Sequence, residues 1–301
     1  MTMPLAQTAI FCADIGGSFI DFALIGPDGH IGMRQKCRTP TRDLDAFTKI
    51  LMTLTDHQPH IPLHIALPGL RDPQKGICTT ANIPCVNGID LAKILGERLN
   101  RNVKIGNDAD CFTLAETLHG AARGHRNVLG IILGTGVGGG LVLGGELVIG
   151  AGGLTGEWGH APFIPSIPGT EDKIPCFPCG CGQRGCIDTI GGARGLERLH
   201  AWSCKETADS RTILTAWHAG DEKACQTLAI YLHYLSSALA LAVNITGATI
   251  LPAGGGLAND EKMLAALDAA VREKILRPTE NPLIVASQLG NAAGLIGAAA
   301  L

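Results

Sequence analysis

Short apolar runs alternate along the chain with amphipathic stretches and glycine-rich turns. The apolar runs predict β-strands at 9–13, 20–25, 63–67, 103–105, 128–133, 141–143 and 248–251. Helical spacing and capping residues predict helices at 43–55, 90–99, 107–122, 228–243, 260–271 and 292–300. Because strands and helices alternate, the pattern is typical of an α/β protein in which helices cover sheets.

A weak internal repeat divides this pattern. Strand, glycine turn and strand follow one another at 9–25 and again at 128–143. The repeat predicts two similar half-molecules, each a mixed sheet with helices, facing each other over a cleft. We expect a small N-terminal α/β domain of residues 1–113 plus 289–301 and a large C-terminal α/β domain of residues 114–288, with the last helix returning to the first domain.

Three glycine clusters each follow an apolar strand directly. The residues concerned are Gly16, Gly17 and Ser18 in the first cluster, Gly134, Thr135, Gly136, Gly138 and Gly139 in the second, and Gly254 and Gly255 in the third. Backbone without side chains approaches phosphate closely and offers it several amide hydrogens. Each cluster alone would be explained by a tight turn, but three together predict a site for a nucleotide with several phosphates. The chain has no Walker motif.

Two carboxylates stand beside predicted turns. Asp14 adjoins the first glycine turn, where it would hold magnesium directly or through water; capping the turn is the alternative. Asp108 follows Asn107 at the start of a predicted helix, where a carboxylate can accept a proton from a bound hydroxyl. An ordinary helix cap explains Asp108 equally well from the residues alone.

One histidine and three cysteines occur together in a glycine-rich region. His160, Cys179, Cys181 and Cys186 form a complete ligand set for a tetrahedral zinc ion with no open position, so the metal would be structural. It would stiffen the loop that carries Glu157 and His160. Buried thiols and an interior histidine are the alternative. Cys176 is a spare thiol in this prediction.

Composition narrows the class of partner. The 301 residues are 46% hydrophobic and 17% charged with a net charge of −3, as expected for an enzyme-sized globular protein. With no basic surplus, neither nucleic acid nor an anionic membrane is an expected partner. Eleven cysteines and no recognisable secretory signal favour the cytoplasm. The uncharged stretch 224–259 is interrupted by polar residues, which favours a buried helix over a membrane span.

Taken together, these motifs resemble the ROK family of sugar kinases and repressors, within the actin and hexokinase-like (ribonuclease H-like) superfamily. The likeness covers almost the whole chain. It includes the phosphate loops at 14–18 and 134–140, the pair Asn107-Asp108, and the zinc signature at 156–160 and 179–186. Within the family, the match is closest to bacterial N-acetyl-D-glucosamine kinases, as judged by 80–84, 107–112 and the long spacer between His160 and Cys179. The resemblance implies a two-domain fold with an active site in the interdomain cleft.

The resemblance also implies a reaction. Asp108 would take the proton from the 6-hydroxyl of a sugar, most simply N-acetyl-D-glucosamine, as that hydroxyl attacks the γ-phosphate of ATP with magnesium bound. The implied sugar ligands are Gly69, Asn82, Asn107, Glu157, His160 and Asp188. Glucokinase, fructokinase, mannokinase and N-acetylmannosamine kinase activities are the alternatives. A sugar-responsive regulator is less expected, because only eight residues precede the first strand. Family members commonly form homodimers.

Three residues depart from the family pattern. Ser18 stands where threonine is usual, and Phe19 stands where the residue is often polar. Asp188 replaces a glutamate that contacts the sugar near carbons 1 and 2. A carboxylate that is shorter by one methylene would weaken that contact, admit a water or make room for a bulkier 2-substituent.

Overall fold

Two five-stranded sheets form the framework of the computed structural model, which describes residues 8–27, 29–55, 58, 60–164 and 174–301. The strands are β1 (Ile10–Ile15), β2 (Phe19–Ile25), β3 (Ile31–Arg38), β4 (Leu63–Leu67), β5 (Leu70–Arg71), β6 (Cys78–Thr79), β7 (Val103–Asn107), β8 (Val128–Leu133), β9 (Val137–Leu143), β10 (Glu146–Leu147), β11 (Leu251–Gly254) and β12 (Ile284–Ala286). The helices are α1 (Leu44–Thr55), α2 (Leu91–Leu99), α3 (Asp108–His119), α4 (Asp188–Gly191), α5 (Ala193–Cys204), α6 (Ser210–His218), α7 (Glu222–Thr246), α8 (Glu261–Arg272) and α9 (Ala293–Ala299).

The two sheets share one topology. The first has the order β3-β2-β1-β4-β7, with an antiparallel β1–β2–β3 meander and parallel β1, β4 and β7. The second has the order β10-β9-β8-β11-β12, with β8 and β9 antiparallel and β8, β11 and β12 parallel. The internal repeat seen in the sequence is therefore confirmed at the level of strand order.

The chain divides into two compact units. The first contains residues 1–124, 147–155 and 289–301, and the second contains 125–146 and 156–288. The boundary predicted at residue 113 lies inside α3, which is continuous to His119. The carboxylate of Glu116 in α3 accepts a hydrogen bond from Leu289 N at 2.9 Å and so ties the C-terminal segment to the first unit.

Strand β1 separates two apolar layers in the first unit. Phe11, Ala13 and Ile15 face a core that includes α1 and α2. Cys12 faces the other side, where α3 and α9 pack, and Asp14 shares that side because strand side chains alternate. A Cβ built at Gly294 in α9 would lie 2.2 Å from Asp14 Oδ2. The small residues of the last helix therefore allow the close packing that the sequence predicts.

Helix α7 is the central helix of the second unit. It is the one helix in the described part of the chain that is long and apolar enough to cross a membrane by length and composition. However, it packs against α5, α6 and α8, and Tyr231, Leu235 and Leu239 on it are fully buried. These contacts identify it as a core helix, as predicted.

Several elements differ from their predicted extents. Strand β3 was missed because it is polar and exposed, and its pairing with β2 carries no hydrophobic signal. The predicted turn 134–140 is shorter, since β9 begins at Val137. Strand β11 runs from Leu251 to Gly254, three residues later than predicted, and helices α4, α5 and α6 were not predicted. Asp28 of the predicted turn 27–29 and part of the 160–179 spacer lie outside the described residues.

Candidate active site

The first glycine turn joins β1 to β2 and is braced by the end of β3. Gly16 N donates to Phe19 O at 2.9 Å, and Thr39 donates from Oγ1 to Gly16 O at 2.7 Å and from N to Ser18 O at 3.1 Å. A Cβ at Gly17 would lie 3.2 Å from Asn82 Cβ. The turn is therefore held in one shape, and the fold brings Asn82 against it.

Asp14 lies where carboxylates concentrate in the first unit. Burial, followed by the nearby charges of Asp108 and Asp21, raises the pKa of Asp14 to about 6. Arg34 opposes this increase, because it binds Asp21 through two hydrogen bonds of 3.0 and 2.6 Å and places a positive charge nearby. A divalent cation at this position would offset the clustered negative charge.

Asn107 and Asp108 are positioned by the junction of β7 and α3. Asn107 caps the helix, because its Oδ1 accepts hydrogen bonds from Ala109 N at 2.8 Å and Asp110 N at 3.0 Å. Its Nδ2 donates to Gly69 O at 2.7 Å, which brings a third predicted sugar ligand to the same place. Gly69 has φ +110°, and a Cβ there would lie 2.2 Å from Thr79 O, so only glycine fits.

Asp108 is the first residue of α3 and is not its cap. Its Oδ1 accepts from Ala109 N at 2.9 Å. Burial raises the pKa of Asp108, while the amide hydrogens of Ala109 and of Asp108 itself lower it. Because burial is the larger effect, this carboxylate is a stronger base than an exposed aspartate.

Thr80 is a candidate site residue that the sequence reasoning did not select. Its side chain is buried, and its hydroxyl has no hydrogen-bond partner in the described part of the chain. A Cβ at Gly69 would lie 3.1 Å from Thr80 Cβ, so the hydroxyl belongs to the neighbourhood of Gly69 and Asn107. A buried, unpaired hydroxyl is costly, so we predict that Thr80 gains a partner when a ligand or a water binds.

The second and third glycine clusters meet in the second unit. Strands β8 and β11 are parallel neighbours, so their carboxyl ends lie at the same sheet edge. Gly255 has φ +93°, and a Cβ there would lie 2.8 Å from Gly134 N and 2.5 Å from Leu133 O. The fold therefore places the two predicted phosphate turns in direct contact.

Gly138 and Gly139 lie in β9, where they pair with Ile132 and Ile131. Trp158 covers this part of the strand, since its Nε1 donates to Gly138 O at 2.9 Å and a Cβ at Gly139 would lie 2.8 Å from its ring. The missing side chain at Gly139 thus makes room for tryptophan. A role of these two glycines in phosphate binding stays a prediction.

The same packing positions the loop that carries Glu157 and His160. Gly156 has φ +74°, and a Cβ there would lie 2.5 Å from Gly139 O. His160 N donates to Glu157 O at 3.0 Å. The imidazole lies between two sets of groups, with Nε2 3.6 Å from Glu157 Oε2 and Nδ1 3.6 Å from Cys179 Sγ.

The predicted metal ligands form one cluster. The ligand atoms of His160, Cys179, Cys181 and Cys186 all lie within 4.8 Å of one another. Cys181 Sγ and Cys186 Sγ are 3.7 Å apart. Zinc–sulfur bonds of about 2.3 Å in a tetrahedron place two sulfurs about 3.8 Å apart, so the donor set fits zinc. Cys176 lies outside the group and donates to Ile164 O at 3.0 Å.

Asp188 begins α4 and connects the metal cluster to the second turn. Its Oδ1 accepts a hydrogen bond from Val137 N at 2.9 Å, and its Oδ2 lies 3.6 Å from Cys179 Sγ. Its own N donates to Gly159 O at 3.0 Å. The short side chain is thus engaged with the turn between β8 and β9, and its predicted contact with a sugar remains a prediction.

The predicted site residues divide between the two units. The first unit carries Asp14, Gly16, Gly17, Ser18, Gly69, Asn82, Asn107 and Asp108. The second unit carries Gly134, Thr135, Gly136, Gly138, Gly139, Glu157, His160, Asp188, Gly254, Gly255 and the cysteines of the metal cluster. Each unit therefore contains glycine turns together with carboxylate, amide or imidazole groups suited to bind polyhydroxylated and phosphorylated ligands.

Comparison with known proteins agrees over nearly the full length. The sequence profile of the ROK family matches residues 10–301. The N-acetylgalactosamine kinase AgaK of Shewanella sp. (strain ANA-3) is 37% identical, covering 96% of this chain and 94% of the relative. The N-acetyl-D-glucosamine kinase of Pectobacterium atrosepticum is 34% identical, covering 96% and 97%. The crystal structure of the ROK hexokinase from Thermus thermophilus superposes with a TM-score of 0.83 at 30% identity, covering 97% of each chain.

Proposed function

Since this chain belongs to the ROK family and is an ATP-dependent sugar kinase, we propose that it phosphorylates the 6-hydroxyl of N-acetyl-D-glucosamine. The family and the actin/hexokinase-like α/β fold predicted from the sequence are confirmed. The proposed products are N-acetyl-D-glucosamine 6-phosphate and ADP. Relatives named N-acetyl-D-glucosamine kinase, 32–34% identical, support this choice of sugar.

The geometry around Asn107 and Asp108 is the observation that carries the mechanism. The side chain of Asn107 caps α3 and donates a hydrogen bond to Gly69 O, and these contacts fix the backbone from which Asp108 extends. Asp108 would accept the proton of the 6-hydroxyl as the hydroxyl oxygen attacks the γ-phosphorus, because burial raises the pKa of Asp108 above that of an exposed aspartate. The leaving ADP takes the electron pair of the broken P–O bond. Rate enhancement in such transfers comes chiefly from positioning and charge stabilisation.

Magnesium and zinc have separate proposed roles. Asp14 would hold magnesium, which neutralises charge on the transferred phosphoryl group when bound. His160 and the three cysteines would hold a structural zinc. His160 would bind zinc through Nδ1, the nitrogen near Cys179, and its Nε2 would then face Glu157. Zinc would thus fix the orientation in which this pair meets the sugar hydroxyls.

N-Acetyl-D-galactosamine is the second candidate sugar. The relative at 37% identity is named an N-acetylgalactosamine kinase. This sugar differs from N-acetyl-D-glucosamine only in the configuration at carbon 4. Glucose, fructose, mannose and N-acetylmannosamine remain alternatives within the same reaction class. A regulator function is less supported, since the compared relatives at 30% identity or more are named as kinases.

The test is magnesium-dependent ADP release from ATP with zinc-loaded protein across these six sugars. We expect the highest kcat/KM with N-acetyl-D-glucosamine. Preference for N-acetyl-D-galactosamine would transfer the proposal to the second candidate, and preference for an unmodified hexose would refute an amino-sugar substrate. Analysis of the product by NMR would locate the new phosphate on oxygen 6 or elsewhere.

Asp108→Asn tests the base. We expect kcat to decrease by about 10²- to 10⁴-fold while sugar affinity changes little, because the amide keeps the size and the acceptor oxygen. Asp45→Asn is a matched control, since Asp45 is an exposed aspartate in the same unit. Turnover near the wild-type level in Asp108→Asn would show that another group takes the proton.

The remaining proposals concern the oligomeric state and the cellular location of the protein. We propose a homodimer in the cytoplasm, on the basis of the family resemblance and the reduced thiol content. Sedimentation velocity at several protein concentrations would measure the mass. A monomer at micromolar concentration would contradict the dimer.

A further inference from the structure

A cavity of about 230 Å³ lies beside the second glycine turn, entirely within the second unit. One wall is the turn itself, at Thr135 and Gly136, and a second is the first part of α5, with Arg194 and Arg198. The third wall is the segment 178–180, which contains the predicted zinc ligand Cys179. This volume far exceeds the about 30 Å³ that one water occupies in the liquid. The cavity is therefore large enough for a group bigger than a single water.

The turn and α5 are fixed to each other through their backbones. Ala193 N donates to Gly134 O at 2.8 Å, and Arg194 N donates to Thr135 O at 3.4 Å. A Cβ at Gly192 would lie 2.4 Å from Thr135 O, so glycine is required for this approach. The backbone of Arg194 is therefore held next to the turn, and Arg194 is one of the residues that line the cavity.

The cavity carries two positive charges and one negative charge. Arg198 follows Arg194 by four residues, on the same face of α5. Arg198 is already oriented, because it donates to Thr189 O at 2.6 Å and lies 5.2 Å from the centre of the Phe177 ring. The carboxylate is Asp188, whose Oδ1 accepts the hydrogen bond from Val137 N. The cavity is therefore suited to an anion.

We propose that Arg194, supported by Arg198, binds the phosphate chain of the phosphoryl donor in this cavity, which makes Arg194 a donor-binding residue of the kinase. Arginine presents planar donors that match phosphate oxygens in a bidentate way. Thr135 also lines the cavity, and the hydroxyl of a threonine is a further hydrogen-bond donor for a phosphate oxygen. This inference rests on the proposed donor role of the second glycine turn.

Two sources of a phosphate chain fit this chemistry. One is the triphosphate of ATP bound at the turn, and the other is a separate phosphorylated effector such as the reaction product. Contact with Thr135 and Gly136 favours the donor, because these residues belong to the turn that is proposed to hold its phosphates. Kinetics separate the two sources, because loss of a donor contact raises the KM for ATP when no sugar phosphate is present, whereas loss of an effector contact removes the effect of added sugar phosphate.

The experiment uses zinc-loaded full-length protein and the variants Arg194→Met, Arg194→Lys and Arg211→Met. Arg211 is the matched control, because it is an exposed arginine on α6 of the same unit and does not line the cavity. The measured quantities are kcat, KM for ATP, KM for the sugar and the inhibition constant of the sugar 6-phosphate, together with the Kd of MgADP and of inorganic tripolyphosphate by calorimetry.

For Arg194→Met we expect KM for ATP and both Kd values to increase by about tenfold, the usual effect of losing one charge-assisted hydrogen bond. KM for the sugar should stay within twofold, and Arg211→Met should behave as the wild type. Arg194→Lys should recover part of the affinity, because it keeps the charge and loses the bidentate geometry. The salt dependence of ADP binding should become shallower in Arg194→Met.

Unchanged KM for ATP and unchanged Kd values in folded Arg194→Met would overturn the proposal. Loss of inhibition by the sugar phosphate with no change in KM for ATP would also overturn it, because the cavity would then be an effector site. Arg194 carries the test because Arg198→Met would also remove the contact with Thr189. If the wild type phosphorylated none of the sugars, the two binding measurements would still decide the role of the cavity, since they need no sugar.

Discussion

Replacing Asp14 by asparagine should stabilise the apo protein at neutral pH and impair catalysis. The carboxylate is partly buried near Asp108 and Asp21, which together with burial raise its pKa from 3.8 to about 6. An ionised Asp14 is therefore less favourable in the folded protein than in the unfolded chain. Asparagine keeps the shape and removes the charge, so this unfavourable contribution should disappear.

The size and pH range follow from the two pKa values. Below pH 3.8 Asp14 is protonated in both the folded and the unfolded protein, so it does not affect the free energy of unfolding. Between pH 3.8 and about 6 the unfolded chain loses this proton first, so the free energy of unfolding decreases as pH rises. The penalty is complete above pH 6. One pKa unit corresponds to 1.36 kcal/mol, which gives an upper limit of about 3 kcal/mol. Partial exposure lowers the expectation to about 1–2 kcal/mol.

The assay is urea unfolding of wild type and Asp14→Asn at several pH values between 4 and 8, in magnesium-free buffer that retains zinc. The free energy of unfolding of the variant minus that of the wild type should increase from pH 4 to pH 6 and then level off. Adding magnesium should reduce the difference, because a bound cation stabilises only the wild type. Asp45→Asn, at an exposed aspartate of the same unit, should show no such increase.

A difference that does not change between pH 4 and pH 8 would refute the reasoning, since it would mean that Asp14 ionises equally easily in both states. A decrease with pH would be a stronger contradiction. It would indicate that Arg34 and Lys36 outweigh burial and the neighbouring carboxylates at this position. An unchanged difference on adding magnesium would separately contradict the proposed cation site.

Three further predictions test the packing and the ligands. Gly139→Ala should destabilise the protein by about 1–3 kcal/mol in urea unfolding and raise KM for the sugar, because the new Cβ would collide with Trp158. Gly256→Ala should change neither quantity, because the space around Gly256 is open. Cys181→Ser should lower the bound zinc measured by mass spectrometry and the Tm, whereas Cys176→Ser should retain the metal; equal zinc in both variants would contradict the assigned ligands. Thr80→Val should raise KM for the sugar by about tenfold without loss of stability, and Thr80→Ser should not; equal KM values would exclude the hydroxyl as a ligand contact.

Local signals account for what was predictable. The predicted limits of β4 and β8 agree with the observed ones, because each is an apolar run interrupted by a single residue, His64 or Gly130. Capping residues marked the starts of α2 and α8, since Asp90 and Asp260 accept hydrogen bonds from amides three residues later. The ligand types of the metal cluster were also readable, because soft thiolates and imidazole suit zinc wherever the chain brings them together.

Elements without a hydrophobic signal were not predictable in this way. Strand β3 is polar and exposed, and it forms because β2 offers it a hydrogen-bonding edge. Strand β9 begins within a glycine cluster that has the composition of a turn. In both cases pairing with a neighbouring strand overrides local preference.

The amino-acid sequence alone determined the family, the two-fold repeat of the sheet, the glycine turns and the zinc-type ligand set, because these depend on residue type and short-range spacing. The tertiary structure alone decided which residues meet. It engages Asp188 with Val137 N, places Trp158 against Gly139, leaves the Thr80 hydroxyl unpaired within the described chain and lines a cavity with Arg194. Such contacts join residues far apart in the chain, and their geometry depends on how strands and helices pack, which spacing along the sequence does not specify.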